Sequence, residues 1–355
     1  MVITIMKNKL QLKSKAEAIC NDFERVVEGL NGEFFRDKTV LITGASGLIG
    51  AYFLSYFMLL NNAGKNVNVI ACIHTSTPEH IKDFIQIGSM SQLSIDLADF
   101  RDYKKIPEAD IIIHAAGYAQ PSLFMKNPAN TLMINVAATE ALLKRLRPDG
   151  TFLFLSSSEI YCGLSLSPST EDMCGTTTPY HPRSSYIEGK RAGEAVCAAY
   201  RKMGVRTISV RLGDVYGPGT SQNDARALNT FIQRALEEKA IRLRDHGRAS
   251  RTYCYISDAV ESMLNVITDG SKQIYNVGSS LKSTIKELAL LIGQLAGAEV
   301  IFPGVENAID GAPPELIMDL NRLQSEFPKS DYISLREGLI RTIAWQRILY
   351  FGIEK

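Results

Sequence analysis

A glycine-rich turn between two apolar segments most constrains what this chain can fold into. Residues 39–43 read TVLIT, residues 44–50 read GASGLIG, and an apolar run continues to about Leu60. This order predicts a strand, a tight turn and a helix. Such a turn suits the pyrophosphate of a dinucleotide, because glycines let the backbone come close and the helix N-terminus offers amide donors. The residues expected to bind it are Gly44, Ser46, Gly47, Leu48, Ile49 and Gly50. A purely structural glycine turn is the alternative.

Strands and helices alternate along the chain as far as residue 212. Helices are predicted at about 131–147 and around Tyr186. Strands are predicted at 67–73, at 94–97 (a strand end), from 111, at 151–155 and at 206–211. Such alternation is typical of a parallel sheet with helices on both faces. The predicted fold class is therefore α/β: a Rossmann-type doubly wound parallel sheet with a smaller mixed α/β C-terminal substrate lobe.

Three parts of the chain are predicted: an N-terminal helical extension at 1–37, a dinucleotide-binding domain at 38–212 and a mainly substrate-binding lobe at 213–355. Some segments of the lobe are expected to return to the main sheet. Its predicted elements are a helix at 227–238, short strands at 274–277 and 300–302, and a helix at about 335–350. The cleft between the two lobes is where a second ligand should meet the cofactor.

The extension is predicted to contain one amphipathic helix. Ser14 and Glu17 form a possible capping box, and Asn31-Gly32 ends the helix. The apolar residues of one face are Phe23, Val26, Val27 and Leu30. We expect this helix to pack on the body of the protein or on a second subunit.

Two further strand ends are expected to contact the cofactor. Asp96, which precedes Leu97, can accept a hydrogen bond from the adenine amino group, or it caps the following turn. Further along, a cofactor can lie against the backbone of three small residues, Ala115, Ala116 and Gly117.

The end of the second strand leaves the choice of cofactor open. It reads Ile73-His74-Thr75-Ser76. This segment has neither the acid that holds the ribose of NAD nor an arginine for the 2′-phosphate of NADP. NAD is the expected cofactor, and NADP is not excluded.

The stretch from Leu155 to Lys190 has the residues for proton transfer. A predicted strand ends at Leu155 and leads into Ser156-Ser157-Ser158-Glu159. Tyr186 and Lys190 are one helical turn apart, so both side chains can leave the same helix face. A hydroxyl at a strand end, beside a tyrosine with a neighbouring ammonium, can take a proton from an alcohol. An ordinary surface pair on a helix is the alternative.

Bulk properties exclude several classes of protein. A net charge of +1 gives no electrostatic reason to expect a nucleic-acid partner or an anionic membrane surface. The six cysteines have no metal-type spacing, so reduced thiols are expected. The chain begins without a secretory signal, and its most apolar run, 48–60, is too short to span a bilayer. These features predict a cytoplasmic protein with no membrane span.

Together these residues resemble the extended short-chain dehydrogenase/reductase superfamily, whose members modify nucleotide sugars. The likeness runs from about Lys38 to about Gln346. Its motifs are TGASGLIG at 43–50, HAAG at 114–117, SSSEIY at 156–161, Tyr186-x-x-x-Lys190, RLGDVYGPG at 211–219 and RTYCYISDA at 251–259. Within that superfamily, HPRSSYIEGKRAGEAVCAAY at 181–200 is similar to the catalytic helix of UDP-glucuronate decarboxylases.

The resemblance implies a role for each catalytic candidate. Tyr186 would remove the proton of a sugar 4-hydroxyl while hydride passes to the nicotinamide. Lys190 would favour the phenolate and hold the nicotinamide ribose, and Ser157 would orient the hydroxyl. Ser158 and Glu159 would then handle protons at C5, unless Glu159 merely caps the loop.

The resemblance also implies a substrate and an assembly. Arg251 would hold the sugar carboxylate or, equally, the diphosphate of a nucleotide-diphosphate sugar. A homodimer is expected through helices at about 131–147 and 184–202. Decarboxylation of UDP-glucuronate is the leading reaction, with 4,6-dehydration, 4-epimerisation or a non-catalytic NAD(P)-binding scaffold as alternatives. The chain departs from the decarboxylase pattern at Asp214, where asparagine is usual, at Arg244, where an aromatic residue is common, and at Cys162, where glycine is usual.

Overall fold

The structure is a computed structural model. It describes residues 19, 22–23, 26–27, 29–74, 77–78, 81–82, 84–85, 90–165, 167–280, 282–304 and 315–351. Its strands are β1 (Thr39–Thr43), β2 (Asn68–Ile73), β3 (Met90–Ser94), β4 (Ala109–His114), β5 (Leu146–Ser157), β6 (Arg206–Leu212), β7 (Asp214–Tyr216), β8 (Ala240–Arg242), β9 (Ser250–Tyr255), β10 (Ile274–Val277), β11 (Lys282–Thr284), β12 (Glu299–Ile301) and β13 (Glu315–Leu316).

The main sheet is parallel throughout. Its strand order is β10-β6-β5-β4-β1-β2-β3. The chain thus starts in the middle of the sheet and extends first to one side of β1 and then to the other. The carboxyl ends of β1 and β4 form the switch point at which doubly wound sheets bind ligands. The predicted fold class is confirmed.

The described helices cover both faces of this sheet. They are α1 (Leu48–Asn62), α2 (Pro121–Lys126), α3 (Pro128–Asn135), α4 (Ala137–Leu143), α5 (Ser184–Lys202), α6 (Ala227–Glu237), α7 (Ile256–Asp269), α8 (Ile285–Ala296), α9 (Asn321–Glu326) and α10 (Leu335–Phe351). Val40 and Ile42 of β1 join the core that contains α1 and α7, whereas Leu41 joins the core that contains α3, α4 and α5. This alternation is what a strand covered on both faces requires.

The helix predicted at 131–147 is instead interrupted. Helix α3 ends at Asn135, α4 begins at Ala137, and Leu146 already belongs to β5. The Nε2 of His114 lies 3.0 Å from the carbonyl oxygen of Ile134 and occupies an acceptor that a continuous helix would use. A side chain that enters the helical hydrogen-bond ladder in this way breaks or bends a helix.

The smaller lobe is built around β9, which pairs with β7, β11 and β13, while β8 pairs with β12. The helix predicted at 227–238 and the last helix are present as α6 and α10. The sequence placed the strand at 274–277 among the elements of the lobe, but as β10 it pairs with β6 at the edge of the main sheet. The short strand β7 lies in a segment for which no strand was predicted.

The described residues of the extension pack on the body of the protein. Ile19 and Phe23 are fully buried, and the ring of Phe23 lies 5.2 Å from that of Tyr52 on α1. The carboxylate of Asp22 accepts hydrogen bonds from Tyr52, at 2.8 Å, and from Tyr255, and it pairs with Arg341 at 2.9 Å. The possible capping box at Ser14 and Glu17 lies outside the described residues.

Among the helices that the structure describes, none has both the length and the apolar composition that crossing a membrane requires.

Candidate active site

The glycine-rich turn after β1 is shaped by close backbone contacts. Gly44 has a φ of +65°, and a Cβ there would lie 2.8 Å from the backbone of Ala115 and Ala116. A Cβ on Gly50 would lie 2.4 Å from the carbonyl oxygen of Gly44. Helix α1 starts at Leu48 with Gly47 as its N-cap and no capping side chain. This cradle fits a pyrophosphate, because no capping side chain takes up the amides of the first helical turn.

A hydrogen-bond chain fixes the floor of this cradle. The N–H of Ala116 donates to the hydroxyl of Thr43 at 3.1 Å, and this hydroxyl lies 2.7 Å from Nδ1 of His114. Because the carbonyl of Ile134 can only accept, Nε2 of His114 carries the proton and Nδ1 accepts from Thr43. Burial lowers the pKa of His114 to about 3, so the ring stays neutral. The chain holds Ala115, Ala116 and the following Gly117 beside the turn.

The expected adenine contact lies at the ends of β2 and β3. Nε2 of His74 is 3.6 Å from Oδ2 of Asp96, and both side chains are exposed. The other oxygen of Asp96 accepts from the N–H of Ala98 at 2.9 Å and so caps the turn. Both readings of Asp96 are thus compatible with the structure, and the contact with adenine stays a prediction. Leu97 is buried.

The catalytic candidates of β5 and α5 meet at the carboxyl end of the sheet. Ser157 lies close enough to Tyr186 for its hydroxyl to lower the pKa of the phenol. The ring of Tyr186 stacks on Phe124 of α2, with centroids 4.6 Å apart and an interplanar angle of 10°. Nζ of Lys190 donates to the carbonyl of Leu155 at 2.6 Å. Phe124 was not predicted as a site residue. The only sign of its role in the sequence is that an apolar residue stands on a short helix after the HAAG motif.

Burial controls the charge of both groups on α5. It raises the pKa of Tyr186 to about 12, the charge of Glu159 acts in the same direction, and the hydrogen bond from Ser157 opposes it. Burial also lowers the pKa of Lys190 to about 7, against the charge of Glu194. Burial thus favours the neutral form of each group, because it penalises the charged form. The expectation that Lys190 favours the phenolate stays a prediction.

Lys190 fits a cofactor hydroxyl. Its ammonium has three N–H donors, and among the described residues its acceptor is the carbonyl of Leu155. A Cβ placed on Gly117 would have Nζ of Lys190 as its nearest heavy atom, at 3.7 Å. The remaining donors can therefore reach a ribose that lies over Gly117. The glycine turn, the small residues at 115–117 and Lys190 are together suited to a nicotinamide dinucleotide.

Glu159 is paired with an arginine. The turn Ser158–Tyr161 follows β5 directly, and the N–H of Glu159 donates to the hydroxyl of Ser157 at 3.2 Å. Nε of Arg183, the residue before α5, donates to Oε2 of Glu159 at 2.8 Å, and Nη2 donates to Oε1. The buried Ser158 lies between Ser157 and Glu159. Arg183 was not predicted as a site residue, although it stands three residues before Tyr186.

Two more arginines approach Asp214 at the start of β7. Desolvation raises the pKa of Asp214 although the residue is exposed, and the charges of Arg251, Arg226 and Arg183 oppose this shift, in that order. Arg251 of β9 donates to the carbonyl of Ser250 at 2.7 Å, and Arg226 pairs with Asp224 at 2.7 Å. Three guanidinium groups near one cleft suit an anionic ligand such as a diphosphate or a carboxylate.

Several other candidates have structural roles. Arg211 forms a buried ion pair with Glu194 at 2.8 Å and donates to the hydroxyl of Tyr161, which is a structural role. Burial raises the pKa of Cys162 to about 11 and also raises that of Cys254, so both stay thiols. Among the described residues, no group of histidine, cysteine and acidic side chains is arranged to hold a metal ion.

Known proteins with a similar sequence share most of their length with this chain. UDP-glucuronic acid decarboxylase 6 of Arabidopsis thaliana is 29% identical over 312 residues, which are 87% of this chain and 89% of that protein. UDP-glucuronic acid decarboxylase 1 of Xenopus tropicalis is also 29% identical over 312 residues, which are 87% of this chain and 72% of that protein.

A similar fold occurs in UDP-glucuronic acid 4-epimerase from Bacillus cereus, solved in complex with UDP-glucuronic acid and NAD. The two structures superpose with a TM-score of 0.74 at 22% identity, over 88% of this chain and 100% of that one. Residues 40–278 also match the sequence profile of the epimerase family, which is described as the NAD dependent epimerase/dehydratase family. The matched segment contains the glycine turn, Ser157, Tyr186, Lys190 and Arg251. This chain is therefore a member of the NAD dependent epimerase/dehydratase family.

Proposed function

We propose that the protein decarboxylates a nucleotide-linked uronic acid, most specifically UDP-glucuronate, after transient oxidation of the sugar at C4. The observation that carries this proposal is the similarity to UDP-glucuronic acid decarboxylases over 87% of the chain. The cleft supports it, because the charges of Arg183 and Arg226 act on both Tyr186 and Asp214, and that of Arg251 acts on Asp214. Cationic groups of this kind suit a substrate with both a diphosphate and a carboxylate.

The cofactor would be NAD, held by residues 44–50 (Gly44, Ser46, Gly47, Leu48, Ile49 and Gly50 among them), by Asp96 and Leu97, by Ala115, Ala116 and Gly117, and by Tyr186 and Lys190. When bound, it supplies the hydride acceptor and donor at the sugar. Lys190 would donate to the nicotinamide ribose with the N–H groups that Leu155 does not occupy. A positive charge near Tyr186 would then work against the effect of burial on its pKa.

The proton of the sugar 4-hydroxyl would pass to Tyr186. Ser157, whose hydroxyl is near enough to lower the pKa of Tyr186, would hold that sugar hydroxyl in line. A ketone at C4 makes the bond from C5 to its carboxylate labile, and Arg251 would hold the carboxylate or the diphosphate. Ser158 and Glu159 would act at C5, where the carboxylate leaves and a proton is gained.

Product analysis tests the proposal directly. Incubation with UDP-glucuronate and NAD should release carbon dioxide and a UDP-pentose, both detectable by mass spectrometry. Tyr186→Phe should abolish this reaction and retain cofactor binding. Turnover of a neutral nucleotide hexose without any product from UDP-glucuronate would contradict it, and the product would show 4,6-dehydration or 4-epimerisation instead. A chain in which Tyr186→Phe changes no activity and no cofactor redox state would be the non-catalytic scaffold.

A further inference from the structure

Glu159 is held by Arg183 with both of its oxygens. Nε of Arg183 lies 2.8 Å from Oε2, and Nη2 donates to Oε1. The pair is largely buried, since 11% of the Arg183 side chain and 15% of the Glu159 side chain are exposed. A planar guanidinium fork of this kind fixes the orientation of a carboxylate as well as its charge.

Arg183 is itself held in place. Its N–H donates to Nδ1 of His181 at 3.2 Å, and its carbonyl accepts from the N–H groups of Tyr186 and Ile187 at 3.1 Å. Its Cζ lies 5.3 Å from the ring centroid of Phe124, the ring that stacks on Tyr186. One residue thus starts the helix that carries Tyr186 and binds the carboxylate that follows the strand of Ser157.

We propose that Arg183 is a positioning residue that decides which bond at C5 of a 4-keto sugar breaks. It keeps Glu159 as a fixed hydrogen-bond acceptor, so that this carboxylate does not act as the base that removes the C5 proton. The inference rests on the proposed function, because it concerns the step after oxidation at C4.

The two competing reactions differ in their need for a base at C5. In decarboxylation the C5–C6 bond breaks, its electron pair passes into the enolate of the neighbouring ketone, and a proton from water then forms a C5–H bond. Dehydration of a 6-hydroxyl sugar instead breaks the C5–H bond. A base takes that proton, the electron pair forms a C5–C6 double bond, and the C6 oxygen leaves as water. Epimerisation at C4 leaves C5 unchanged.

The ion pair makes Glu159 unsuited to take the C5 proton. Protonation would neutralise the carboxylate and leave the guanidinium of Arg183 without its counter-charge in a largely buried position, which is costly. Each carboxylate oxygen still has a lone pair that can accept from a sugar hydroxyl or from water. The geometry therefore favours decarboxylation or 4-epimerisation over dehydration.

Hydrogen exchange at C5 tests this role. The wild type, Arg183→Gln and Arg183→Lys are incubated with NAD in D₂O, with UDP-glucuronate or with UDP-glucose, and deuterium at C5 of the recovered sugar is measured by NMR. Wild type should leave C5 of recovered substrate unexchanged, while its pentose product gains deuterium there. Arg183→Gln should raise the exchange of recovered substrate by roughly 10²-fold, the lower range for a general base. It should also form some 4-keto-6-deoxy sugar from UDP-glucose.

Arg183→Lys keeps the positive charge but lacks the two parallel N–H donors of the guanidinium, so it should give intermediate exchange at C5. This variant replaces Arg183→Gln in the test if Arg183→Gln does not fold. The matched control is Arg201→Gln, at the other end of α5, where Nη1 donates to the carbonyl of Thr207 at 2.8 Å. This variant should behave as the wild type at C5. A gain of exchange there would overturn the inference, because the effect would then follow from any weakening of the helix.

Three further results would also overturn it: exchange at C5 of recovered substrate by the wild type at the rate of turnover, unchanged exchange in Arg183 variants that still oxidise C4, or loss of C4 oxidation in both variants. A different result would separate the two proposals. If the wild type oxidises a sugar at C4 but releases no carbon dioxide and exchanges no hydrogen at C5, the proposed decarboxylation is contradicted and the role of Arg183 is supported.

Discussion

Two neighbouring side chains on α5 have their pKa values displaced in opposite directions by one cause. Burial raises the pKa of Tyr186 to about 12 and lowers that of Lys190 to about 7. Each shift favours the neutral form, so a proton relay here depends on what a bound ligand adds in charge and hydrogen bonds. The effect of burial on the protonation of each residue can be measured in the protein without added cofactor.

Lys190→Met should flatten the rise of the free energy of unfolding between about pH 7 and pH 10.5. The folded protein releases the lysine proton near pH 7, whereas the unfolded chain keeps it until about 10.5. In this window the unfolded state binds one more proton at this lysine, so Lys190 adds up to about 1.4 kcal/mol per pH unit to the slope. Above about pH 9 the buried thiols with raised pKa values contribute a slope of opposite sign in both proteins. Urea denaturation of cofactor-free protein at several pH values measures the slope. Lys202→Met, at the exposed end of α5, should keep the wild-type slope, and an equal slope in Lys190→Met would contradict the prediction.

Phe124→Leu should lower kcat several-fold and leave KM nearly unchanged. The stacked ring holds the phenol of Tyr186 in the direction of Ser157, and such a pair contributes about 1 kcal/mol beyond its burial. Steady-state kinetics measure both constants, with the nucleotide sugar that the product analysis shows to be turned over. Phe100→Leu, at a residue that is 69% exposed, is the matched control. A raised KM with an unchanged kcat would mean that the ring contacts the substrate instead of positioning Tyr186.

Several strands of the main sheet follow from local sequence, and the helix boundaries only in part. Strand β3 ends at Ser94 instead of continuing to residue 97, and β5 begins at Leu146, within the predicted helix. The predicted strand at 39–43 is confirmed residue for residue, and those at 67–73 and 206–211 within one residue at an end. The break between α3 and α4 has no local signal, because His114 on β4 causes it from 20 positions away. The edge position of β10 is likewise a matter of tertiary pairing, since a four-residue strand fits either sheet.

Thr43→Val should destabilise the turn between β4 and α2. The change leaves the N–H of Ala116 and Nδ1 of His114 without their shared partner, and each buried unsatisfied group costs about 1–3 kcal/mol. Because Ala115 and Ala116 border Gly44, the affinity for NAD should fall as well. Thr43→Ser, which keeps the hydroxyl, is the control. Chemical denaturation and a titration with NAD measure the two effects, and a normal affinity in a destabilised Thr43→Val protein would separate the turn from cofactor binding.

At the scale of the whole molecule, the site is assembled from segments far apart in the chain. Sequence motifs predicted Ser157, Tyr186, Lys190 and the glycine turn as site residues, because each motif lies at the end of a strand or on the following helix. Arg183 and Arg226 were missed, since an arginine in a loop gains its role only from the carboxylates that folding brings near. The family match confirms NAD as the cofactor of this family.

The N-terminal extension should contribute strongly to stability through Asp22. This carboxylate, 5% exposed, joins Tyr52 of α1, Tyr255 of β9 and Arg341 of α10. Asp22→Ala leaves the arginine and two hydroxyls unpaired, and removal of one partner of a buried pair costs about 3 kcal/mol. Urea denaturation measures the loss. Glu33→Ala, which removes exposed ion pairs with Arg36 and Lys65, should have little effect, and an equally small effect of Asp22→Ala would mean that the extension is not docked through this residue.

A homodimer is expected on the face formed by α3, α4 and α5. Leu132 of α3 is 40% exposed there, although α3 packs against α5 on its other side. Stable interfaces bury about 1,200–2,000 Å² and depend on a few central apolar residues. Leu132→Lys should therefore shift the protein from dimer to monomer in sedimentation at micromolar concentration. Leu290→Lys, at a residue of α8 that is 44% exposed, should remain dimeric. A wild type that sediments as a monomer would contradict the dimer, and dissociation by Leu290→Lys alone would move the interface to α8.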